Sequence, residues 1–321
     1  MSIYLDAFWQ CFRIPKPPST EVNLPDQNGR VFIVTGGYAG CGKELAKILY
    51  SKNGTVYVAG RSKDKADTAI EEIKKAYPNS DGRVTFLYLD LADLASIKAS
   101  ANDFMGQERR LDVLTNNAGI MTPPTGTKSA QGYEVQMGTN CLGAFLFTQL
   151  LTPVLQRTAA SSPPGSVRVT WAASLATLGS PKGGVAFDNK TNAPKVHNNP
   201  GLDYGQSKAG NVLLAQEYQE HHPYDGIVSN AWNPGNLDSE LMRHHNSIMR
   251  TAFRWLLLYP AVYGAYTELW AGWSEEAGKE DMKPGYVAPW GRKGMVREDL
   301  AESVNQKRFW EWCERETEPY L

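Results

Sequence analysis

Short β-branched runs alternate with longer amphipathic stretches through most of the chain. VFIVT at Val31–Thr35 is apolar until its last residue and runs into glycines, which predicts a buried strand. Gly40–Lys52 follows as a helix, with Leu45, Ile48 and Leu49 on one face. TVYVA (Thr55–Ala59) predicts a second strand, and Lys63–Tyr77 a second helix that Pro78 and Asn79 end. RVTFLYL (Arg83–Leu89), LDVLT (Leu111–Thr115), SVRVTWA (Ser166–Ala172) and GIVSNAW (Gly226–Trp232) predict further strands, with helical stretches between them. Parallel strands need crossover connections, so the alternation predicts one α/β domain: a doubly wound parallel sheet with helices on both faces. No internal repeat interrupts it.

Two segments fall outside this rhythm. Residues 1–30 form an N-terminal extension ahead of a domain spanning 31–321. The extension opens with Leu5, Phe8, Trp9 and Phe12 at i, i+3, i+4, i+7, followed by a connector containing Pro15, Pro17 and Pro18. The stripe reads as a short helix docked on the protein itself or on a second subunit. A membrane-surface anchor is the alternative, weakened because the polar face is not rich in Lys or Arg. The other segment, about 238–290, follows the last central strand, where ligands bind in such sheets, and is read as the substrate-binding segment.

Composition narrows the class. The 321 residues are 42% hydrophobic and 11% aromatic, enough for a real core and against disorder. A formal net charge of -1 supplies no global field for nucleic acid or an anionic membrane. Cys11, Cys41, Cys141 and Cys313 are scattered without a CxxC pair, which supports neither a disulfide framework nor a zinc site. The first residues lack a secretory signal. The apolar run Trp255–Tyr266 is shorter than the roughly 18 residues a spanning helix needs, and Pro260 interrupts it. The expectation is a soluble cytoplasmic protein with no stable membrane insertion. His221-His222 and His244-His245 are adjacent pairs without a third ligand placed by sequence, so they read as surface or packing histidines and no metal site is expected. No GxSxG elbow supports a hydrolase.

The chemistry lies at the strand ends. Thr35-Gly36-Gly37-Tyr38-Ala39-Gly40-Cys41-Gly42 joins the first strand to the first helix. Glycines there permit a tight turn and let the backbone approach a pyrophosphate at a helix N-terminus, which predicts a dinucleotide. At the end of the second strand, Ala59-Gly60-Arg61-Ser62 carries no carboxylate to hold the ribose hydroxyl of NAD. The Arg61 guanidinium instead suits a 2′-phosphate and favours NADP(H), tempered by Asp64 just beyond. Tyr204-Gly205-Gln206-Ser207-Lys208 opens a helix and puts Tyr204 and Lys208 on one face. A free phenol has a pKa of about 10, and a nearby ammonium lowers it, so Tyr204 can protonate a developing alkoxide or deprotonate an alcohol.

TGGYAGCG, NNAG at Asn116–Gly119, YGQSK and NPG at Asn233–Gly235, in this order, resemble the short-chain dehydrogenase/reductase family over about Val31 to Trp290. The TGxxxGxG spacing resembles its simple oxidoreductase branch. LDLADLASIK, QGYEVQMGTNCLGAFLFTQLL and YGQSKAGNVLLAQE further resemble retinol-dehydrogenase-like enzymes and fungal reductases of secondary metabolism. The resemblance implies a Rossmann-like fold. It also implies that Ser174 hydrogen-bonds the substrate oxygen, Tyr204 transfers the proton, and Lys208 lowers its pKa and holds the nicotinamide ribose. Asn140, in GTNCLG, matches the helix asparagine that supports a proton-relay water. Cofactor contacts are implied for Thr35, Gly36, Tyr38, Gly40, Cys41 and Gly42, for Arg61, for Asp90 near the adenine and its neighbour Leu91, and for Asn117, Ala118 and Gly119. They are implied also for Pro234 and Gly235 beside the nicotinamide, for Leu237, and for Ser239, where a threonine is common.

One departure concerns the serine. Many relatives have VSS where this chain has Ala172-Ala173-Ser174, but RVTWA must end before the site, which leaves Ser174 as the only hydroxyl in reach until Thr177. The implied activity is NADPH-dependent carbonyl reduction, or the reverse alcohol oxidation, on a bulky apolar or aromatic small molecule. Met, Trp and Tyr residues around Met242–Trp273 hint at that substrate class. The rivals are a cyclase, isomerase or imine reductase using the same pocket, and a non-catalytic NADP-sensing protein. The family commonly pairs helices into oligomers, so a homodimer is possible unless the 1–30 extension caps that surface.

Overall fold

The computed structural model describes residues 3–12, 14–237, 258–279, 282 and 285–321. The strands are β1 (Val31–Thr35), β2 (Thr55–Gly60), β3 (Arg83–Tyr88), β4 (Val113–Asn116), β5 (Val167–Ala172), β6 (Ile227–Trp232), β7 (Gly285–Ala288) and β8 (Arg292–Lys293). They form one sheet in the order β3-β2-β1-β4-β5-β6-β7-β8, parallel throughout except for the antiparallel β8. The chain winds outward from β1 to β3, then crosses back to β4 on the other side of β1. That reversal leaves a crevice between the carboxyl ends of β1 and β4.

Side chains alternate across each strand, and both sides are covered. Phe32 and Val34 of β1, with Val56 and Val58 of β2, meet helices α2 (Gly40–Ser51) and α3 (Lys63–Ala76) through Leu45, Leu49 and Ile73. Val31, Ile33, Tyr57 and Ala59 face the opposite core. There α4 (Leu94–Gln107), α5 (Val135–Ala159) and α6 (Pro200–His221) contribute Phe104, Phe145, Leu151 and Leu213. Burial on both faces is why the strands read as near-continuous apolar runs. Helix α5 is long and apolar enough to cross a membrane, but 83% of its apolar window is buried inside the fold, where it serves as a core helix.

Three regions differ from expectation. Strand β4 begins at Val113 and not at Leu111; Asp112 keeps its backbone bonds to Val31 and Arg168 while its side chain holds an ion cluster. Its wholly buried carboxylate accepts from Val31 N–H at 2.9 Å, from Arg30 Nε at 3.1 Å, and from Arg110 Nε and Nη2 at 2.7 Å each. Asp112→Asn keeps the shape but removes the charge and one acceptor oxygen. A loss of about 2–3 kcal/mol is expected, read as a lower denaturant midpoint at constant m.

The strand–helix alternation also does not stop after β6. Helix α7 (Ala261–Trp273) packs Ala265 and Leu269 into the core with α2, and β7 then extends the sheet. The aromatic hint drawn from this stretch therefore belongs partly to core packing. Trp270, for example, is buried with Trp232 and Val287. Helix α8 (Ser303–Thr317) covers α6 and buries Phe309, Trp310 and Trp312. A Cβ at Gly210 would lie 2.9 Å from the Phe309 ring, so this approach requires a glycine.

The third difference is α1 (Ile3–Cys11). The expected helix forms, yet its stripe does not dock on its own chain: Leu5, Phe8, Trp9 and Phe12 are 37–50% exposed. Among the α1 side chains described, the buried one is polar, Gln10 at 3% exposure. Two of the four cysteines, Cys141 and Cys313, are buried, and all four are free thiols.

Candidate active site

The glycine turn is shaped by contact with the turn after β4. Gly36 and Gly40 have φ of +67° and +52°, in the left-handed region that side chains disfavour. A Cβ at Gly42 would fall 2.5 Å from Asn117 Nδ2 and 2.8 Å from Gly36 O. The closeness serves hydrogen bonds: Asn117 Nδ2 donates to Thr35 O (2.7 Å), and Ala118 N–H donates to Thr35 Oγ1 (2.9 Å). Thr35 is fully buried and ties the two turns together from beneath.

Above them opens a cleft of about 300 Å³. Gly36, Tyr38, Gly40 and Cys41 border it on one side, and Asn117, Ala118 and Gly119 on the other. Arg61, Asp90 and Leu91 line it at the ends of β2 and β3. Helix α2, whose Gly40 and Cys41 line the cleft, starts here behind Ala39, so its first N–H groups have no side-chain cap. Arg61 Nε stands 4.0 Å from Asp90 Oδ1, with more than half of its side chain exposed.

Strand β5 leads to the second group. Ser174 follows it and caps the short turn Leu175–Gly179, its Oγ accepting from Ala176 N–H at 3.2 Å. Helix α6 is started by Asn199, which caps Gly201 and Leu202, and by Pro200 in its first turn. Tyr204 and Lys208 then lie one turn apart, with Lys208 Nζ 5.8 Å from the centre of the Tyr204 ring. Lys208 Nζ donates to Ala172 O at 2.9 Å, and Asn211 Nδ2 donates to the same oxygen at 2.8 Å.

Burial governs both titrations. It pushes the Tyr204 phenol up to about 12, against the pull of a hydrogen bond with Ser174. It also lowers Lys208 to about 8. In the protein alone, desolvation therefore outweighs the lowering of Tyr204 expected from Lys208.

Asn140 lies in a π-type turn, Gly138–Gly143, inside α5. Its Oδ1 accepts from Ile120 N–H (2.8 Å), and its Nδ2 donates to Ile120 O and to Ser207 Oγ (both 3.0 Å). The two groups of residues meet at Gly119, where a Cβ would lie 3.2 Å from both Asn140 Oδ1 and Lys208 Nζ. Pro234 and Gly235 form the turn after β6. Gly235, at φ +84°, packs against Pro289 and Trp290. Leu237 is buried and, with Cys41, abuts the Cα of Gly264 on α7. Ser239 and His244-His245 lie outside the described residues. His221 stacks on Trp310, and His222 bonds Asp225 at 2.7 Å, so this pair packs.

The short chain dehydrogenase family model matches residues 30–167. A short-chain dehydrogenase/reductase of Phomopsis amygdali is 46% identical over 319 residues, covering 95% of this chain and 94% of its own. The chain belongs to the short-chain dehydrogenase/reductase family. Another such reductase, from Emericella nidulans, is 42% identical over 95% of this chain and 98% of its own length. Among solved structures, an uncharacterized protein from Mycobacterium Paratuberculosis superposes with a TM-score of 0.69 at 26% identity, over 94% of this chain and 97% of that one. The Pseudomonas aeruginosa RhlG/NADP active-site complex shares the fold, with a TM-score of 0.61 at 22% identity over 82% of this chain and 95% of that one. As a short-chain dehydrogenase/reductase the protein is an oxidoreductase of a family that binds nicotinamide cofactors.

Sequence reasoning missed several residues of this oxidoreductase's cleft: Ser62, Lys65, Ile120 and Thr139 line it as well. Lys65 was legible in principle, because it follows Arg61 by four residues across the start of α3. Ile120 offered no signal, since its part is played by backbone groups bonded to Asn140.

Proposed function

We propose that this short-chain dehydrogenase/reductase is an NADPH-dependent carbonyl reductase, able to run in reverse as an alcohol dehydrogenase, for bulky apolar or aromatic small molecules. The observation that carries the reading is the meeting of Lys208 and Asn140 at Gly119, on the wall of the glycine-turn cleft. Lys208, the partner of the proton donor Tyr204, thus borders the place where a dinucleotide would end.

The residues present fit such a cofactor. Gly36, Gly40, Cys41 and the uncapped start of α2 would hold its pyrophosphate; Asp90 and Leu91 would flank the adenine. Arg61 and Lys65 line the cleft with the Ser62 hydroxyl at the end of β2, and these two cations support a 2′-phosphate. Pro234 and Gly235 would border the nicotinamide. When bound, the cofactor supplies the hydride.

Ser174 would donate a hydrogen bond to the carbonyl oxygen, and Tyr204 would give its proton to the alkoxide that develops there. Lys208 would favour the phenolate left behind. Asn140 acts through Ile120 and Ser207 as a positioning residue, holding the cleft wall against the helix that carries Lys208. The substrate class is supported by Tyr259, Tyr263 and Trp290, whose rings cluster with centroid separations of 4.4–5.9 Å beside Gly235.

The test is NADPH consumption against bulky ketones, aldehydes and cyclic imines, with product analysis with and without NADPH. Carbonyl turnover is the expected result. Product formed without NADPH consumption would overturn the reading in favour of a cyclase or isomerase. Arg61→Ala is expected to raise KM for NADPH about tenfold and leave KM for NADH unchanged, because only the phosphate contact is lost. An equal effect on both cofactors would remove the assignment to NADP(H).

A further inference from the structure

Helix α1 lies ahead of the residues matched by the family model, yet it reaches the turn after β6. Gln10 Oε1 accepts from Asn233 Nδ2 at 2.8 Å, and both side chains are at least 97% buried. Asn233 passes the constraint on: its Oδ1 accepts from Gly235 N–H at 3.2 Å, while its own N–H bonds Val287 O at 2.9 Å. An asparagine amide has one oxygen and one NH₂, so engaging the NH₂ with Gln10 aims the oxygen at Gly235. Gly235 needs that support, because its φ of +84° belongs to no regular element. The helix is clasped a second time at its carboxyl end, where Arg292 Nη2 donates to Trp9 O at 3.1 Å. The same guanidinium bonds Pro289 O, and Pro289 packs on Gly235. Two independent contacts of α1 therefore converge on one turn.

We infer that Gln10 is a positioning residue, which fixes the Asn233-Pro234-Gly235 turn through the Asn233 amide and so sets the nicotinamide end of the cofactor site. The inference rests on the reading above that Pro234 and Gly235 border the nicotinamide. It makes the N-terminal helix a working part of the site. It also explains why α1 buries a glutamine while its aromatic stripe stays half-exposed: the helix is oriented by a directional bond.

The experiment uses the full chain. Gln10→Leu removes the acceptor at nearly constant size, Asn233→Ala removes the amide, and the double variant closes the cycle. Arg292→Met releases the other clasp. In the ligand-free protein, Gln10→Leu is expected to speed amide hydrogen exchange at Gly235 by about fivefold to tenfold, with other protected sites unchanged. NADPH affinity is expected to fall by a similar factor, and Arg292→Met to give the same pattern. In the Asn233→Ala background Gln10→Leu is expected to change either quantity by less than about twofold. Unchanged exchange at Gly235, or fully additive losses in the double variant, would overturn the inference. If wild-type protein bound no NADPH while exchange at Gly235 still responded, the positioning of the turn would stand and the nicotinamide reading would fall.

Discussion

Tyr204→Phe is expected to lower kcat for ketone reduction by roughly a hundredfold to ten-thousandfold, the contribution typical of a positioned general acid. The affinity for NADPH should change little, because the ring stays and only the hydroxyl is lost. Folding should also be nearly unaffected: Ser174 loses one partner, but its Oγ still accepts from Ala176 N–H at 3.2 Å. Burial lifts the phenol to about 12, so Tyr204 carries its proton throughout the physiological range and is poised to give it away. Steady-state kinetics beside NADPH binding by fluorescence separates the two effects. Turnover that survives in the variant would remove Tyr204 from the proton-donor role.

Lys208→Met is expected to abolish most turnover and, in the ligand-free protein, to raise stability. Its pKa falls from 10.5 in the unfolded chain to about 8 in the fold, because burial penalises the charge. Between those values the unfolded state binds more protons, so native stability rises with pH from about 8 to about 10.5. Below about 8 the fold carries the full penalty, about 3 kcal/mol for that shift, partly offset by the Nζ hydrogen bond to Ala172 O. Methionine removes both terms, and Asn211 Nδ2 still satisfies that carbonyl. A net gain of about 1–2 kcal/mol at pH 7 follows, seen as a Tm higher by about 2–5 °C. The gain should vanish as the pH approaches 10.5. A variant that is less stable at pH 7 would show that Lys208 is held by favourable contacts that outweigh its desolvation. Such opposition between stability and activity is common where a fold keeps a charge buried for use.

The parallel core was legible because strands buried on both sides are written as unbroken apolar runs, such as VFIVT and SVRVTWA. Tyr204, Lys208 and the glycine turn were legible because their spacing survives any detail of packing: one helical turn, and one strand-to-helix connection. What resisted reading depends on tertiary partners. The ion cluster on Asp112 exists only once Arg30 and Arg110 are brought beside it. GYVA at Gly285–Ala288 is too short and too close to Pro289 and Gly291 to declare itself a strand. The stripe of α1 marked the helix but not how it meets its own chain, because polar bonds from Asn233 to Gln10 and from Arg292 to Trp9 hold it. The rise of the Tyr204 pKa was hidden for the same reason: sequence shows which charge is nearby, whereas burial is a property of the assembled fold.

The bond from Asn233 to Gln10 spans 223 positions, and that from Arg292 to Trp9 spans 283. Contacts of such separation carry a large loop-closure cost, so they form after the local strand–helix units have collapsed. During synthesis the cleft between β1 and β4 can therefore be organised while α1 still waits for β6 and β8 to leave the ribosome. The site is built from the middle of the chain outward, and its last wall is a segment made before the strands it waits for.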